Sequence, residues 1–228
     1  MIMIKNSRIR GILKILIPFI LIPAVAVAGV LLFDEKKHIW VSLSIAVASL
    51  FLFFAGFEKK VTGTRRMVLV AVMTAISVLG RFIPFFKPVT AITVISAMYL
   101  GSEAGFLVGA LSALLSNFYF GQGPWTAFQM LAWGLIGWFA GVIANKLKKS
   151  RALLLTYGVL SGVAFSFIMD IWTVLWYNNG FDMNLYMASV ISAIPHTILY
   201  AVSNFVFLYL LAKPFGSKFE RIKLKYGV

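Results

Sequence analysis

Residues 104–145 read AGFLVGALSALLSNFYFGQGPWTAFQMLAWGLIGWFAGVIAN. Two apolar runs, 104–120 and 127–145, flank a turn built on Gly121-Gln122-Gly123-Pro124. Glycine and proline punctuate the chain there, so the stretch predicts a hairpin of two helices. Similar apolar runs occur at 12–33, 39–57, 67–83, 89–101, 152–176 and 187–212. A helix rises 1.5 Å per residue, so about 20 residues cross a hydrocarbon layer of roughly 30 Å. Of the 228 residues, 61% are hydrophobic and 12% charged, about half the usual globular share of roughly 25%. The expected fold is an all-α integral membrane protein with eight spans. Soluble, fibrous and disordered classes are excluded. The runs at 89–101 and 104–120 are short, and short or interrupted helices tend to line cavities rather than face lipid.

Lysine and arginine number 21 against 7 acids, a net charge of +14. In a soluble chain this would suggest nucleic acid; here no nucleic-acid partner is expected, because basic residues beside spans set orientation. With a cytoplasmic N-terminus, the basic residues of 5–14, 59–66, 146–151 and 213–225 fall inside, 17 of the 21. Lys36, Lys37, Arg81 and Lys87 fall outside. Eight spans with both termini cytoplasmic give this asymmetry. The first run has a basic start and small residues at Ala24–Ala28, as a signal peptide does. It is longer than the usual 7–15 residues of a signal core, so a retained helix is expected, kinked at Pro18 and Pro23. The polar run Glu58–Arg66 divides an N-terminal hairpin, 1–60, from a six-helix unit, 64–213, with a basic cytoplasmic tail at 214–228.

Several chemistries find no residues. The chain has no cysteine, two histidines (His38 and His196) and no GxxxxGK[ST] phosphate loop. Neither a metal site nor a catalytic constellation can be assembled, and no bound cofactor is expected. The chain is not expected to be an enzyme.

What remains is polar residues at helical spacing. Ser192, His196, Tyr200 and Asn204 recur every four residues, and Ser166, Asp170, Thr173 and Tyr177 share a face. Gln129 and Trp133 lead into Gly137 and Gly141. The simplest account is interhelical hydrogen bonding, worth about 0.6 kcal/mol per bond. Asp170 differs, since a charge at mid-membrane costs roughly 2.5–3.5 kcal/mol and should face water, a partner or a ligand. Three outer loops, 81–88, 117–125 and 176–180, supply aromatics, amides and tight turns. An interfacial aromatic belt explains their Trp and Tyr but not the paired glycines and amides of 121–125. Arg81 and Lys87, the outer cations of the six-helix unit, have a bland account as snorkelling residues. Small residues stand four apart at Ala71/Ala75, Gly105/Gly109, Gly137/Gly141 and Gly158/Gly162. Each pair allows close helix approach, and one facing outward would be a docking surface.

The unit from about Thr64 to Lys213 resembles the substrate-binding S component of an energy-coupling factor (ECF) vitamin transporter. The resemblance rests on Ala71-Val72-Met73-Thr74-Ala75, on Ser116–Thr126 with its FGQGPW stretch, and on Gln129–Gly134. It implies a multi-pass protein of a prokaryotic cell membrane that binds a small-molecule vitamin near the outer face. It implies as partners the lipid bilayer, a transmembrane coupling protein and two cytoplasmic ATPases. Ala71 and Ala75 would contact the coupling protein. The FGQGPWT loop looks most like cobalamin-associated members, which puts cobalamin first as cargo and other vitamins second. Asn117, Tyr119, Gln122, Trp125, Gln129, Trp133, Asp170, Trp176, Asn178, His196 and Tyr200 are the expected substrate-binding residues. The hairpin 1–60 departs from the plain family pattern. An ion-coupled secondary transporter and a membrane enzyme acting on lipid are the alternatives.

Overall fold

The computed structural model describes residues 7–32, 38–55 and 60–226. Lys5, Lys36, Lys37, Lys59 and the start Met1-Ile2-Met3-Ile4 lie outside them. Among the described residues every regular element is helical. They are α1 (Ser7–Leu16), a π turn (Ile17–Leu21), α2 (Ile22–Leu32), α3 (His38–Ala55), α4 (Lys60–Gly80), α5 (Val89–Leu100), α6 (Ser102–Phe120), α7 (Pro124–Val142), α8 (Ala144–Lys149), α9 (Arg151–Asn178) and α10 (Met183–Tyr226). Each of the eight apolar runs holds a helix over its described residues, and α8 is a short addition after α7. Four of the described helices, Arg8–Leu32, Ser102–Phe120, Arg151–Asn178 and Met183–Tyr226, are long and apolar enough to cross a membrane. The chain is an all-α integral membrane bundle.

The first span bends less simply than its prolines suggest. Leu16 and Ile22, on either side of the π turn, both keep helical dihedrals. Pro18 removes a donor from the ladder, and the wider π ring takes up the mismatch without ending the helix.

α5 is the centre of the bundle. Its 12 residues span about 18 Å, well short of the hydrocarbon thickness, and all of them except Tyr99 are buried. A helix so short must be walled by protein, because its free backbone ends cannot face lipid. Gly101 alone joins it to α6, at φ 97, the left-handed side where a side chain would strain the turn. α6 and α7 pack with almost no space between backbones. A Cβ at Gly137 would stand 2.4 Å from the Gly105 carbonyl oxygen, so both positions require glycine for the crossing. Gly158 and Gly162 face Leu208 and Ala201 of α10. Of the four small-residue pairs, only Ala71/Ala75 faces outward. Both residues are exposed, together with Val68, Val72 and Leu79, along one stripe of α4.

The N-terminal hairpin packs on α6, α7 and α9. The Phe19 ring meets Trp138 edge-on at 4.8 Å. Lys14 Nζ pairs with Glu103 at 2.6 Å, where the Glu103 side chain is 7% exposed and Lys14 39%. Lys14→Met should therefore lower stability by about 1–3 kcal/mol, the range for a charged hydrogen bond whose buried partner is left alone. Thermal unfolding in detergent reads this. Glu103→Gln in the same background should restore part of the loss, and additive losses would show that the pair contributes nothing.

One end of the bundle gathers the basic residues. Arg66 donates to the Leu100 carbonyl and Arg65 to that of Tyr226; Arg151 Nη2 reaches the Tyr209 carbonyl at 3.1 Å. α10 does not stop near residue 212. It continues to Tyr226 through Pro214, and its last turns pack home. Phe219 is buried and stacks on Tyr99 with centroids 5.2 Å apart. Residues 213–226 therefore continue α10 as an amphipathic helical extension, with Gly216 and Phe219 on its inner face.

Candidate functional site

Among the described residues the opposite end holds two cations, Arg81 and Lys87, and one of them points inward. α4 ends at Gly80, and the turn that follows carries Arg81, only 7% exposed. Snorkelling is thus not its role. Its Nη1 donates to Asn117 Oδ1 at 2.8 Å and also to Ser116 Oγ on α6. Its guanidinium lies 5.2 Å from the Trp133 ring and 5.1 Å from that of Phe120. Its Nε, also buried, has no acceptor. Burial pulls the Arg81 pKa down to about 10, against a weaker upward pull from Tyr200, so the group remains charged at neutral pH. Burial and then Arg81 lower that of Lys87.

A polar relay runs inward from Arg81. Asn117 Nδ2 donates to Thr126 Oγ1 at 2.9 Å and to Gln129 Oε1 at 2.8 Å. This ties the end of α6 to the first turns of α7 and fixes the Gln129 amide. Deeper, Trp133 stacks on Phe165 of α9, with centroids 4.8 Å apart and planes 21° apart. Tyr200 of α10 meets Phe165 edge-on at 5.1 Å. Arg81, Lys87, Val89, Thr90, Gln129, Trp133, Gly162, Phe165, Tyr200 and Asn204 enclose a cavity of about 30 Å³. That volume holds about one water. Ser203 Oγ donates to the Lys87 carbonyl at 3.2 Å, and Asn204 Nδ2 to the Gly158 carbonyl at 3.0 Å. These bonds hold the 81–88 loop and α9 against α10.

The structure therefore gathers Asn117, Gln129, Trp133 and Tyr200 of the expected residues. Others stand elsewhere. Gln122 turns back and donates to the Leu114 carbonyl at 2.9 Å. The Trp125 ring covers Gly123, where a Cβ would come within 2.3 Å of it. Gly121 takes φ 103. The GQGPW stretch is thus a built turn entering α7, in which Gly121 answers to backbone geometry and Gly123 to the Trp125 ring. Trp125 faces Trp172 at 6.0 Å, and Trp176 is half-buried nearby in sequence on α9. Asp170 is buried, only 8% exposed, with Oδ2 unpartnered, outside the cavity lining. Tyr119, Asn178 and His196 are exposed and do not line the cavity. Residues four apart drift by about 40° per step around a helix. Ser192 and His196 have consequently rotated out of the bundle, while Asn204 at the end of the same stripe is buried. Ser166 and Thr197 simply bond each other across α9 and α10, at 2.6 Å.

Seven of the ten lining residues, Arg81, Lys87, Val89, Thr90, Gly162, Phe165 and Asn204, were not among the expected binding residues. Arg81 and Lys87 had a signal, as basic residues on the wrong side of the charge asymmetry. Asn204 stood in the polar stripe, and Phe165 had no signal among 21 phenylalanines.

The family model described as ECF-type riboflavin transporter, S component, matches residues 61–217. No curated protein and no solved structure gave a match. The match spans α4 to the start of the α10 extension, the six-helix unit that carries the cavity, and leaves the N-terminal hairpin outside.

Proposed function

The chain belongs to the family of ECF-type riboflavin transporter S components, and we propose that it captures a planar heteroaromatic vitamin of the riboflavin kind. It is the substrate-specific membrane subunit of an ECF transporter, not an enzyme, and works with transmembrane and ATPase components. The host is a prokaryotic cell, and two cytoplasmic ATPases drive the coupling protein.

The observation that carries the cargo reading is the aromatic cradle. Trp133, Phe165 and Tyr200 converge from three helices beside the fixed Gln129 amide and the Arg81 guanidinium. Flat aromatic walls stack on a flat ring system, the Gln129 amide meets its carbonyls and ring nitrogens, and the Arg81 guanidinium lies at the outer edge. A cavity that holds about one water must widen for any vitamin, so capture moves the Arg81–Pro88 loop, which carries Arg81 and Lys87 and leads into the lining helix α5. Cobalamin is the second candidate. The loop that suggested it folds against its own helices, and a corrinoid would need much more room than a flavin.

Docking is assigned to the outward stripe of α4. Ala71 and Ala75 lie there with Val68, Val72 and Leu79, and two small residues one turn apart let another membrane helix come close.

The test is titration of the detergent-purified chain with riboflavin and with cobalamin, followed by tryptophan fluorescence and thermal midpoint. Saturable riboflavin binding with a raised midpoint is expected. Cobalamin binding without riboflavin binding would keep the subunit's role and replace its cargo.

A further inference from the structure

Arg81 and Lys87 border one cavity, and neither has an acidic partner among the described residues. Ring faces of Trp133 and Phe120 lie against the guanidinium, but a ring face does not cancel a charge. Arg81 spends Nη1 on Ser116 and Asn117, while its Nε has no acceptor in a side chain that is 7% exposed. A buried cation without a counter-charge is costly to keep, and such sites are where a ligand supplies the missing charge.

The same cavity meets the start of α5. Pro88 precedes the helix without any side-chain cap, and the first ladder bond runs from Ile92 N to the Pro88 carbonyl at 2.9 Å. The amides of Val89, Thr90 and Ala91 thus have no acceptor within their own helix. Val89 and Thr90 line the cavity, and a helix start favours negative charge.

We infer that the cargo carries an anionic group, a carboxylate or a phosphate monoester, seated between Arg81, Lys87 and the amide end of α5. This rests on the cargo reading above, with the ring system on Trp133 and Phe165 and the anion at the outer edge. On a flavin skeleton the charged group is a phosphate on the ribityl chain.

The test compares neutral and anionic twins on the detergent-purified full chain by calorimetric titration. The pairs are riboflavin and riboflavin 5′-phosphate, nicotinamide and nicotinate, and pantothenol and pantothenate. Within the pair whose skeleton binds, the anionic twin should bind at least about tenfold tighter, the low end for charge-assisted hydrogen bonds. Raised salt should narrow the gap, and Arg81→Gln should close it. Lys87→Gln, on the loop, carries the same test if Arg81→Gln does not fold, and should narrow the gap severalfold. A neutral twin that binds as tightly as its anion overturns this inference and leaves the cargo reading standing. No binding by any pair in a folded sample overturns both.

Discussion

Replacing Trp133 by alanine should reduce cargo affinity by about a hundredfold. The ring is one wall of the cradle, stacked on Phe165 and set 5.2 Å from the Arg81 guanidinium. Aromatic pairs contribute about 0.5–1.5 kcal/mol beyond the area they bury, and the lost area adds about 1.5–3 kcal/mol for a large apolar group. The indole also packs the α7–α9 contact, and a buried Trp→Ala change costs roughly 3–5 kcal/mol of stability. Trp133→Phe separates the two effects. It should keep the fold, leave a smaller stacking surface and lose no more than about tenfold in affinity. Binding by calorimetry, read beside the thermal midpoint, checks both variants. Unchanged affinity in a folded Trp133→Ala chain would remove the cradle from the site.

The second large effect is expected on α4. Leucine at both Ala71 and Ala75 should abolish ATP-driven uptake. The two methyl groups are exposed on a stripe bordered by Val68, Val72 and Leu79, and a helix resting there would meet six added carbons. Overpacking costs about 1–3 kcal/mol per site, so the pair should weaken assembly with the coupling protein by tenfold or more. Stability should hold, because neither side chain has neighbours to displace within the bundle. Neither residue lines the cavity, so cargo binding in detergent should hold too. Co-purification with the coupling protein measures the effect directly. Intact co-purification would move the docking surface elsewhere.

These two variants touch what the sequence did and did not disclose. Hydrophobic runs placed eight helices, because a span must be apolar over its whole length. The short run at 89–101 already implied an enclosed helix, and α5 is one. Three of the glycine or alanine pairs pack inside and one faces out, and spacing alone is blind to which way a face points. Ala71/Ala75 and Gly105/Gly109 read alike and end on opposite sides. The polar stripe of α10 misled for a geometric reason. A four-residue repeat is not the 3.6-residue period of the helix, so His196 faces out where Asn204 faces in.

The most distinctive peptide was the least direct guide to chemistry. Gly121-Gln122-Gly123-Pro124-Trp125 looked like a ligand loop because amides and aromatics are dense in it. It holds a helix entry together, with Gln122 on the Leu114 carbonyl and the Trp125 ring over Gly123. Its neighbours do face the cavity: Asn117 positions Gln129, and Trp133 walls it. Arg81 shows the converse. One arginine on the outer side looked like a headgroup contact, and only tertiary packing reveals that the loop turns it under Asn117 rather than toward lipid.

The measurement that tests the account most directly is riboflavin uptake by cells producing this chain, with and without a coupling protein and its ATPases. The account predicts ATP-dependent accumulation only when the full module is present, lost with Trp133→Ala and with the Ala71→Leu, Ala75→Leu pair. Accumulation by the chain alone would contradict it and point instead to a self-sufficient transporter built around the buried Asp170.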